Sequence, residues 1–418
     1  MSARPPHTSP AAPAKGFQAE AAPGAGTHPA RGGQASITVL AVAAFVIVTT
    51  EFLMVGLLPA LARDLGVSVS AAGQLVTLFA VVVMLCGPVL TALLAHIERK
   101  RLFLGVLVLF AASNALAAMA PNLWTLAIAR VIPALALPVF WGTASDTAAQ
   151  LAGPQRAGRA VSRVYLGISG AMLFGIPLGT LAGDAIGWRG AFWLLAALSL
   201  LVAVLLQIAM PTMARTATRV PFAEQARILR NPAFAGNALL SVAVFTAMFT
   251  GYTYLAEVLE QVAGIAPGHV GWWLMGFGAV GLAGNWLGGL WVDRRPLAAT
   301  AAFSALLAVG MVASVVLAPW TAGLAAALAV WGVANTALYP VCQIRVMKSA
   351  PQAQALAGTI NVSAANAGIA LGAVLGGAAI PLWGVGSVAF AGAAVALLAV
   401  VAVPWVARLG RLGRRTGG

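Results

Sequence analysis

The sequence predicts an all-α membrane protein with twelve transmembrane helices, arranged as two homologous six-helix bundles. Three observations lead to this prediction. Of the 418 residues, 61% are hydrophobic and 8% are charged, whereas about 25% of residues are charged in a typical soluble domain. Apolar stretches of about 20 residues recur, which is the length that spans a ~30 Å hydrocarbon core. Two features recur at an offset of 197 positions, which indicates an internal repeat.

The apolar stretches are bounded by glycines, prolines and clusters of charge. Each is interpreted as a helix, because backbone polar groups in lipid must form hydrogen bonds within their own segment. The first six spans are predicted near residues 37–61, 71–95, 102–120, 123–148, 160–182 and 189–210. The other six are predicted near residues 233–259, 268–291, 298–317, 320–346, 355–379 and 384–406.

This pattern divides the chain into five parts. Residues 1–35 are rich in Ala, Pro and Gly and are predicted to be a disordered cytoplasmic tail. Residues 36–210 and 233–406 are the two predicted bundles, residues 211–232 the cytoplasmic linker, and residues 407–418 a basic cytoplasmic tail.

The net charge of +14 is explained by membrane topology. If the N-terminus is cytoplasmic, 21 of the 24 lysines and arginines lie in cytoplasmic segments, and only Arg63 and Arg189 lie outside. The positive-inside rule describes this asymmetry. We therefore predict a multi-pass protein of the cell inner membrane with both termini cytoplasmic, and we expect no nucleic-acid partner. Cys86 and Cys342 fall inside spans and are interpreted as packing residues.

The repeat is defined by two unrelated features. The end of span 2, residues 92–99, corresponds to the end of span 8, residues 289–296, and sets His96 opposite Asp293. Small residues also recur at every fourth position of spans 5 and 11, namely Gly167, Ala171, Gly175, Gly179 and Ala364, Gly368, Gly372, Gly376. Such a stripe lets another helix approach closely. It indicates either static packing or an interface that slides, and its presence in both halves favours sliding.

Several stretches carry a resemblance to a known family. They are residues 50–59 in span 1, residues 138–141 in span 4, residues 175–179 in span 5, and Gly187, Trp188 and Arg189 at the start of span 6. From about Ile37 to Trp405 the chain resembles the major facilitator superfamily, in its twelve-helix drug:proton antiporter branch. Within that branch it is most similar to bacterial sugar, purine-nucleoside and chloramphenicol efflux permeases.

The resemblance implies a set of conformational residues. The family's cytoplasmic loop motif locks the two halves through charge pairs at helix ends. It corresponds here to His96 and Arg99 in the first half and to Gly289, Asp293 and Arg294 in the second. The first copy departs from the family pattern at Ala92, in place of Gly, and at His96, in place of Asp. The span 5 motif, with Gly175, Pro177 and Gly179, marks antiporters in the family and favours efflux.

Two ionisable residues lie deep within predicted spans. Glu51 is 14 residues past Ile37, and Arg130 is seven past Leu123, which enters from the other side. At ~1.5 Å per residue in a ~30 Å core, both lie ~20 Å from the cytoplasmic side. Because spans 1 and 4 are neighbours in the resembled fold, we expect the two side chains to pair. The pair is either a permanent structural ion pair or a proton-coupling site, with Glu51 binding the proton and Arg130 as its switch partner.

Spans 1, 4, 7 and 10 line the cavity in the resembled fold. The predicted cavity residues are Thr50, Trp141, Asn237, Phe245, Tyr252, Asn335 and Tyr339. A few polar groups in an aromatic pocket suit an uncharged or amphipathic ligand. Glu257 and Glu260, near the outer end of span 7, are interpreted as solvated helix ends, with Glu257 lining an outer mouth as the alternative, and Asp64 beside Arg63 is interpreted as a surface pair.

These features predict a monomeric secondary-active transporter without a cofactor. The leading hypothesis is efflux of a drug, sugar or nucleoside in exchange for protons. A proton-coupled importer and a non-transporting membrane sensor are the alternatives, although a sensor would want a soluble domain and the longest internal loop has about 22 residues. An enzyme or an ATP-driven pump is not expected, because no zinc-ligand cluster, nucleophile elbow or Walker A sequence is present.

Overall fold

The computed structural model describes residues 31–94, 97–153, 156–213, 230–292, 294–351 and 354–415. Within these ranges the chain forms helices and short connections, and no strand. His96, Asp293, residues 1–30 of the predicted tail and most of the predicted linker lie outside the described residues.

The first bundle contains six helices. They are α1 (Arg31–Leu65), α2 (Val69–Leu94), α3 (Arg99–Ala118), α4 (Leu123–Ala152), α5 (Ala157–Gly170, continued by the π-helical turn Ala171–Gly175 and residues 176–186) and α6 (residues 188–209). Gly187 separates α5 from α6, with φ of 77° and ψ of 157°. Only glycine adopts this region without strain, so the long run Ile176–Ala209 is two spans joined at a kink.

The second bundle repeats this arrangement. Its helices are α7 (Pro232–Tyr252, continued by Leu255–Glu257 and the π-helical turn Val258–Val262), α8 (Pro267–Val292), α9 (Pro296–Val316), α10 (Thr321–Lys348), α11 (Gln354–Trp383) and α12 (Ser387–Arg415). The predicted fold class is confirmed. By length and mean hydropathy alone ten stretches qualify as spans, because α5 and α6 merge into one and α8 is not among them. Glycine and tryptophan, which add little hydropathy, make up twelve residues of α8.

Both bundles have their chain ends on the same side. The Ser36 hydroxyl donates a hydrogen bond to the Ala209 carbonyl over 2.8 Å, which sets the start of α1 beside the end of α6. Gly236, at the start of α7, packs beside Leu409 of α12. We call this side the linker face, and the opposite side, where α1 ends at Leu65, the distal face.

The small residues of α5 pack against α1 within the first bundle. A Cβ added at Gly175 would overlap the Thr49 side chain, and one added at Gly179 would lie 2.5 Å from Leu53. The same contacts recur 197 positions later, where Gly372 meets Thr246 and Gly376 meets Thr250. The two stripes are therefore helix contacts inside each bundle, and neither faces lipid.

The interface between the bundles is formed by other surfaces. Helix α2 packs on α11, α5 on α8, and α1 on the end of α7. On the α5–α8 contact a Cβ at Gly271 would lie 3.1 Å from the Pro177 carbonyl. The proline of the span 5 motif thus lies between the bundles, whereas its two glycines face α1.

A carboxylate outside the spans anchors the start of the linker. The Glu98 side chain caps α3 by accepting hydrogen bonds from the backbone N–H groups of Lys100 and Arg101, and it accepts a third from Met213 over 3.1 Å. Partial burial acts to raise the pKa of Glu98, but these N–H groups outweigh it and hold the pKa below its usual range. This ionised cap ties residue 213 to the α2–α3 connection.

The packing of α5 on α1 leads to a test with a matched control. Gly179→Leu inserts a side chain where even a methyl group would collide with Leu53, and overpacking of this kind costs roughly 1–3 kcal/mol. We expect this variant to lose transport and to unfold at a lower temperature in detergent. Gly105→Leu is the control, because Gly105 is exposed on α3 and a Cβ there meets no atom within 4 Å. Full transport by Gly179→Leu would contradict the contact.

Candidate functional site

Arg130 is buried inside the first bundle and holds α4 to α1. Its Nη1 donates a hydrogen bond to the Thr50 carbonyl over 2.7 Å, and its Nη2 donates one to the Glu51 carbonyl over 2.9 Å. The guanidinium also lies 4.6 Å from the ring centroid of Phe79 on α2. A buried charge in a membrane needs partners, and here they are two main-chain oxygens and an aromatic face. Arg130 therefore connects three helices at one point.

The structure replaces the expected ion pair with this main-chain contact. The ion pairs found among the described residues are Arg63–Glu260, Arg99–Asp146 and Arg189–Asp64, and none includes the Glu51 carboxylate. Arg130 is close enough to Glu51 for an electrostatic interaction. The two residues are thus adjacent, as the depth argument predicts, but the guanidinium binds the backbone of Glu51 and leaves its carboxylate available.

Glu51 is the partly exposed member of a buried stretch of α1. Thr50 and Phe52 on either side of it are buried. The Glu51 carboxylate interacts electrostatically with the hydroxyl group of Tyr339, which belongs to α10 of the other bundle. A carboxylate that is partly accessible, deep in a span and close to the opposite bundle faces the space between the bundles.

Aromatic residues of α7 and α10 form the other wall of this space. The rings of Phe245 and Tyr339 meet edge to face with centroids 5.2 Å apart, and Phe249 and Tyr252 meet in the same way at 5.6 Å. Among the described residues, the Tyr339 hydroxyl and the Asn335 Oδ1 have no hydrogen-bond partner. Unsatisfied buried polar atoms are costly, so these two atoms, four residues apart on α10, are candidates for contact with a polar ligand.

The remaining predicted cavity residues lie elsewhere. The Thr50 hydroxyl accepts a hydrogen bond from Asn114 on α3 over 3.1 Å, so it belongs to the core of the first bundle with Arg130. Trp141 packs on Tyr165, with ring centroids 5.5 Å apart. Asn237 donates to the Ala233 carbonyl of its own helix near the linker face. The structure therefore groups Glu51 with Tyr252 and Tyr339 and leaves these three apart.

Sequence reasoning missed two residues of this region. Asn114 was not singled out, although a polar amide in the middle of a span is a signal of its own. The burial of Arg345 was also not predicted: it is 2% exposed within α10, and its Nη2 donates to the Ser241 hydroxyl over 2.8 Å and to the Asn237 carbonyl over 3.1 Å. Asn237 and Ser241 lie four positions apart on α7, and this pair of polar residues on one helix face was the signal in the sequence for a buried polar partner.

The loop motifs are described in part. Arg99 Nη2 lies 3.4 Å from Asp146 Oδ2, a charge pair between the ends of α3 and α4. A Cβ at Gly289 would meet no atom within 4 Å, and Arg294 is exposed. Since His96 and Asp293 lie outside the described residues, the lock that the family motif implies stays a prediction.

Comparisons with known proteins agree with this architecture. A family model described as Major Facilitator Superfamily matches residues 40–363. The inner membrane transport protein YdhP of Escherichia coli O157:H7 is 37% identical over 88% of this chain and 95% of its own length. A "Probable sugar efflux transporter" of Helicobacter acinonychis is 32% identical over 87% of this chain and 93% of its own. A chloramphenicol efflux pump of Mycobacterium tuberculosis is 33% identical over 82% and 84%.

A solved structure shares the fold. The crystal structure of a bacterial homolog of the human lysosomal transporter Spinster, in an inward-facing and unoccupied conformation, matches with a TM-score of 0.73. The match covers 93% of this chain and 98% of that one, at 16% identity. The family match and the relatives at 32–37% identity go further than the fold: this chain belongs to the major facilitator superfamily and is a multi-pass membrane transporter with efflux-type relatives, not an enzyme.

Proposed function

We propose that this protein exports a small uncharged or amphipathic molecule from the cytoplasm across the inner membrane in exchange for protons. The observation that carries the proposal is the partly exposed Glu51 carboxylate, which lies deep in α1 and near the unpartnered hydroxyl group of Tyr339 in the opposite bundle. The names of the sugar efflux and chloramphenicol efflux relatives support export over uptake.

In this proposal Glu51 alternates between a proton and the substrate. When it is ionised, its oxygens accept hydrogen bonds from substrate hydroxyl or amide groups, while Tyr339 and Asn335 supply further polar contacts and Phe245 an apolar surface. A proton that arrives from the other side of the membrane neutralises the carboxylate and removes these charge-assisted hydrogen bonds, which are the strong ones. Substrate release and proton uptake are thus coupled at one side chain.

Arg130 supplies the fixed positive charge of the site. It holds the carbonyls of Thr50 and Glu51 now, and we propose that it exchanges one of them for the Glu51 carboxylate when α1 moves. A nearby cation favours the ionised form of a carboxylate. The rearrangement therefore changes how tightly Glu51 holds its proton, which is the requirement for coupling.

The polar contacts between the bundles indicate which side is closed. The Ser70 hydroxyl donates to the Gly377 carbonyl over 2.7 Å, the Thr77 hydroxyl donates to the Ala370 carbonyl over 3.5 Å, and Arg63 pairs with Glu260. All three join the bundles in the half of the molecule nearer the distal face. If the distal face is periplasmic, as the distribution of basic residues predicts, this conformation is closed to the periplasm.

The proton-coupling proposal predicts the behaviour of Glu51 variants. Glu51→Gln keeps the shape and hydrogen bonding of the side chain but cannot exchange a proton. We expect it to bind substrate more weakly than the unaltered protein, because a neutral amide lacks the charge-assisted hydrogen bonds, and to lose efflux driven by a pH gradient in inverted vesicles, whereas Glu51→Asp retains part of it. Sugars, nucleosides and amphenicols are the substrates to screen. Substrate-induced proton release from purified Glu51→Gln equal to that of the unaltered protein would reject Glu51 as the coupling residue.

A second prediction concerns Arg130. Lysine keeps the charge but lacks the planar fork that reaches two carbonyls at once, and a lost charge-assisted hydrogen bond costs about 1.5–3 kcal/mol. We expect Arg130→Lys to lower the unfolding temperature and to shift the pH optimum of efflux. Arg189→Lys is the control, because the Arg189 side chain is 41% exposed at the distal face. Equal effects of the two substitutions would show that the fork has no special role.

The proposed orientation predicts the side on which fusions lie. We expect fluorescent-protein fusions after Arg215 and after Arg408 to fluoresce, and phosphatase fusions at the same positions to be inactive, because both positions are cytoplasmic in this topology. An active phosphatase at either position would refute the orientation or the span count.

A further inference from the structure

Two contacts between α1 and α7 join each residue to its own repeat counterpart. Arg63 Nη1 lies 2.6 Å from Glu260 Oε2, and the rings of Phe52 and Phe249 have centroids 5.8 Å apart. Both pairs are 197 positions apart, which is the offset of the repeat. A residue can touch its own counterpart only near the axis that relates the two halves. These pairs therefore mark where α1 and α7 meet on that axis. The Arg63–Glu260 ion pair joins the two helices at the distal face.

Glu257 precedes Glu260 by three residues, so it lies about one helical turn farther from the distal face than this ion pair. It is 3% exposed, which contradicts its interpretation as a solvated helix end. Its Oε1 accepts a hydrogen bond from Gln261, and its Oε2 has no partner among the described residues. Asp64, interpreted above as the partner of Arg63, instead pairs with Arg189. Arg63 is consequently engaged by Glu260, not by its neighbour in sequence.

The charges around Glu257 do not neutralise it. Glu257 interacts with the acidic Glu260 on its own helix and with Arg63 of α1, whereas Asp184 on α5, which is exposed, interacts with Arg63 and Glu260. The start of α8 contributes the exposed His269, and the described distal parts of α2 and α11 contain no acid or base. The cation that acts on Glu257 is thus already paired with Glu260.

Burial and the absence of a hydrogen bond at Oε2 both favour the neutral form of the Glu257 carboxyl group. Removing an unpaired charge from water costs several kcal/mol, whereas a protonated carboxyl group has no such cost. When the distal face opens, α1 separates from α7 and water reaches the side chain, so that the ionised form becomes favourable.

We propose that Glu257 makes closure of the distal face depend on the uptake of one proton, so that the Arg63–Glu260 gate closes only over a protonated Glu257. This proton is taken from, and returned to, the distal side, and it is separate from the proton exchanged at Glu51. The inference rests on the proposed function only in requiring two alternately open states. Acidic pH on the distal side then favours the closed gate.

Distances between spin labels on the two bundles test this inference. Ile186→Cys and Ala266→Cys place labels at exposed distal positions of the first and second bundles. They are introduced after the free Cys86 and Cys342 have been replaced by Ser. With the full chain in lipid nanodiscs and without substrate, we expect a longer-distance population to grow as pH rises. For one linked proton, the ratio of open to closed molecules rises up to tenfold per pH unit.

Three variants separate the explanations. Glu257→Gln, a permanent mimic of the protonated side chain, should keep the short distance at every pH, while Glu260→Gln should enlarge the long-distance population and retain its pH dependence. Glu51→Gln removes any pH response that comes from the coupling site, and its long-distance population should still grow as pH rises, so that failure of the coupling proposal is distinguishable. A pH-independent distance in the unaltered protein, or an unchanged pH response in a monodisperse, helical Glu257→Gln, would overturn the inference.

Discussion

Close approach of small residues within each bundle is the contact on which the rest of this structure depends. Lipid gives helices no hydrophobic reason to associate, so packing and interhelical hydrogen bonds hold the bundle together. Gly175 and Gly179 let α5 lie directly on α1, and Gly372 and Gly376 do the same for α11 on α7. These contacts hold one face of α1 and one face of α7 in place within their own bundles. Their opposite faces are left to meet each other, through Phe52 and Phe249, on the axis between the halves.

The repeat holds for packing but not for charge. The glycine contacts recur at an offset of 197 positions, yet the counterpart of Glu51 is Met248 and that of Arg130 is Ala327. The second bundle instead places a buried arginine, Arg345, nearer the linker face, where it binds the backbone of α7 as Arg130 binds that of α1. Shared packing keeps the two halves alike in shape, and different charges give them different tasks: the first carries the titratable group of the site and the second its aromatic wall.

The features that could be predicted from the sequence are those that recur at a regular spacing along it. Spans, the repeat and the small-residue stripes follow from the spacing of apolar, glycine and basic residues, and the depth of Glu51 and Arg130 follows from counting residues along a helix. The hydrogen bonds of Arg130 were not predictable, because any residue type supplies a backbone carbonyl. The burial of Glu257 was not predicted either, because a residue so close to the end of α7 was expected to be exposed to solvent. What covers it is α1, more than 190 positions away in sequence.

The placement of acidic groups on α1 and α7 separates two kinds of proton chemistry. The distal acidic residue Glu260 pairs with Arg63 of α1. Arg63 is 12 residues from Glu51 along α1, or ~18 Å at ~1.5 Å per residue, and this is the separation of the two acidic sites. A carboxylate at mid-depth meets each side of the membrane in turn as the bundles rock, so its proton crosses the membrane. A carboxylate at the distal end is accessible from the distal side alone, so its proton returns to that side. It changes the ratio of open to closed molecules without moving charge across the membrane. In the proposed mechanism both groups act on the same two helices, so that the central site would set the direction of transport, while the distal site would set how readily the cycle reaches its outward-open state.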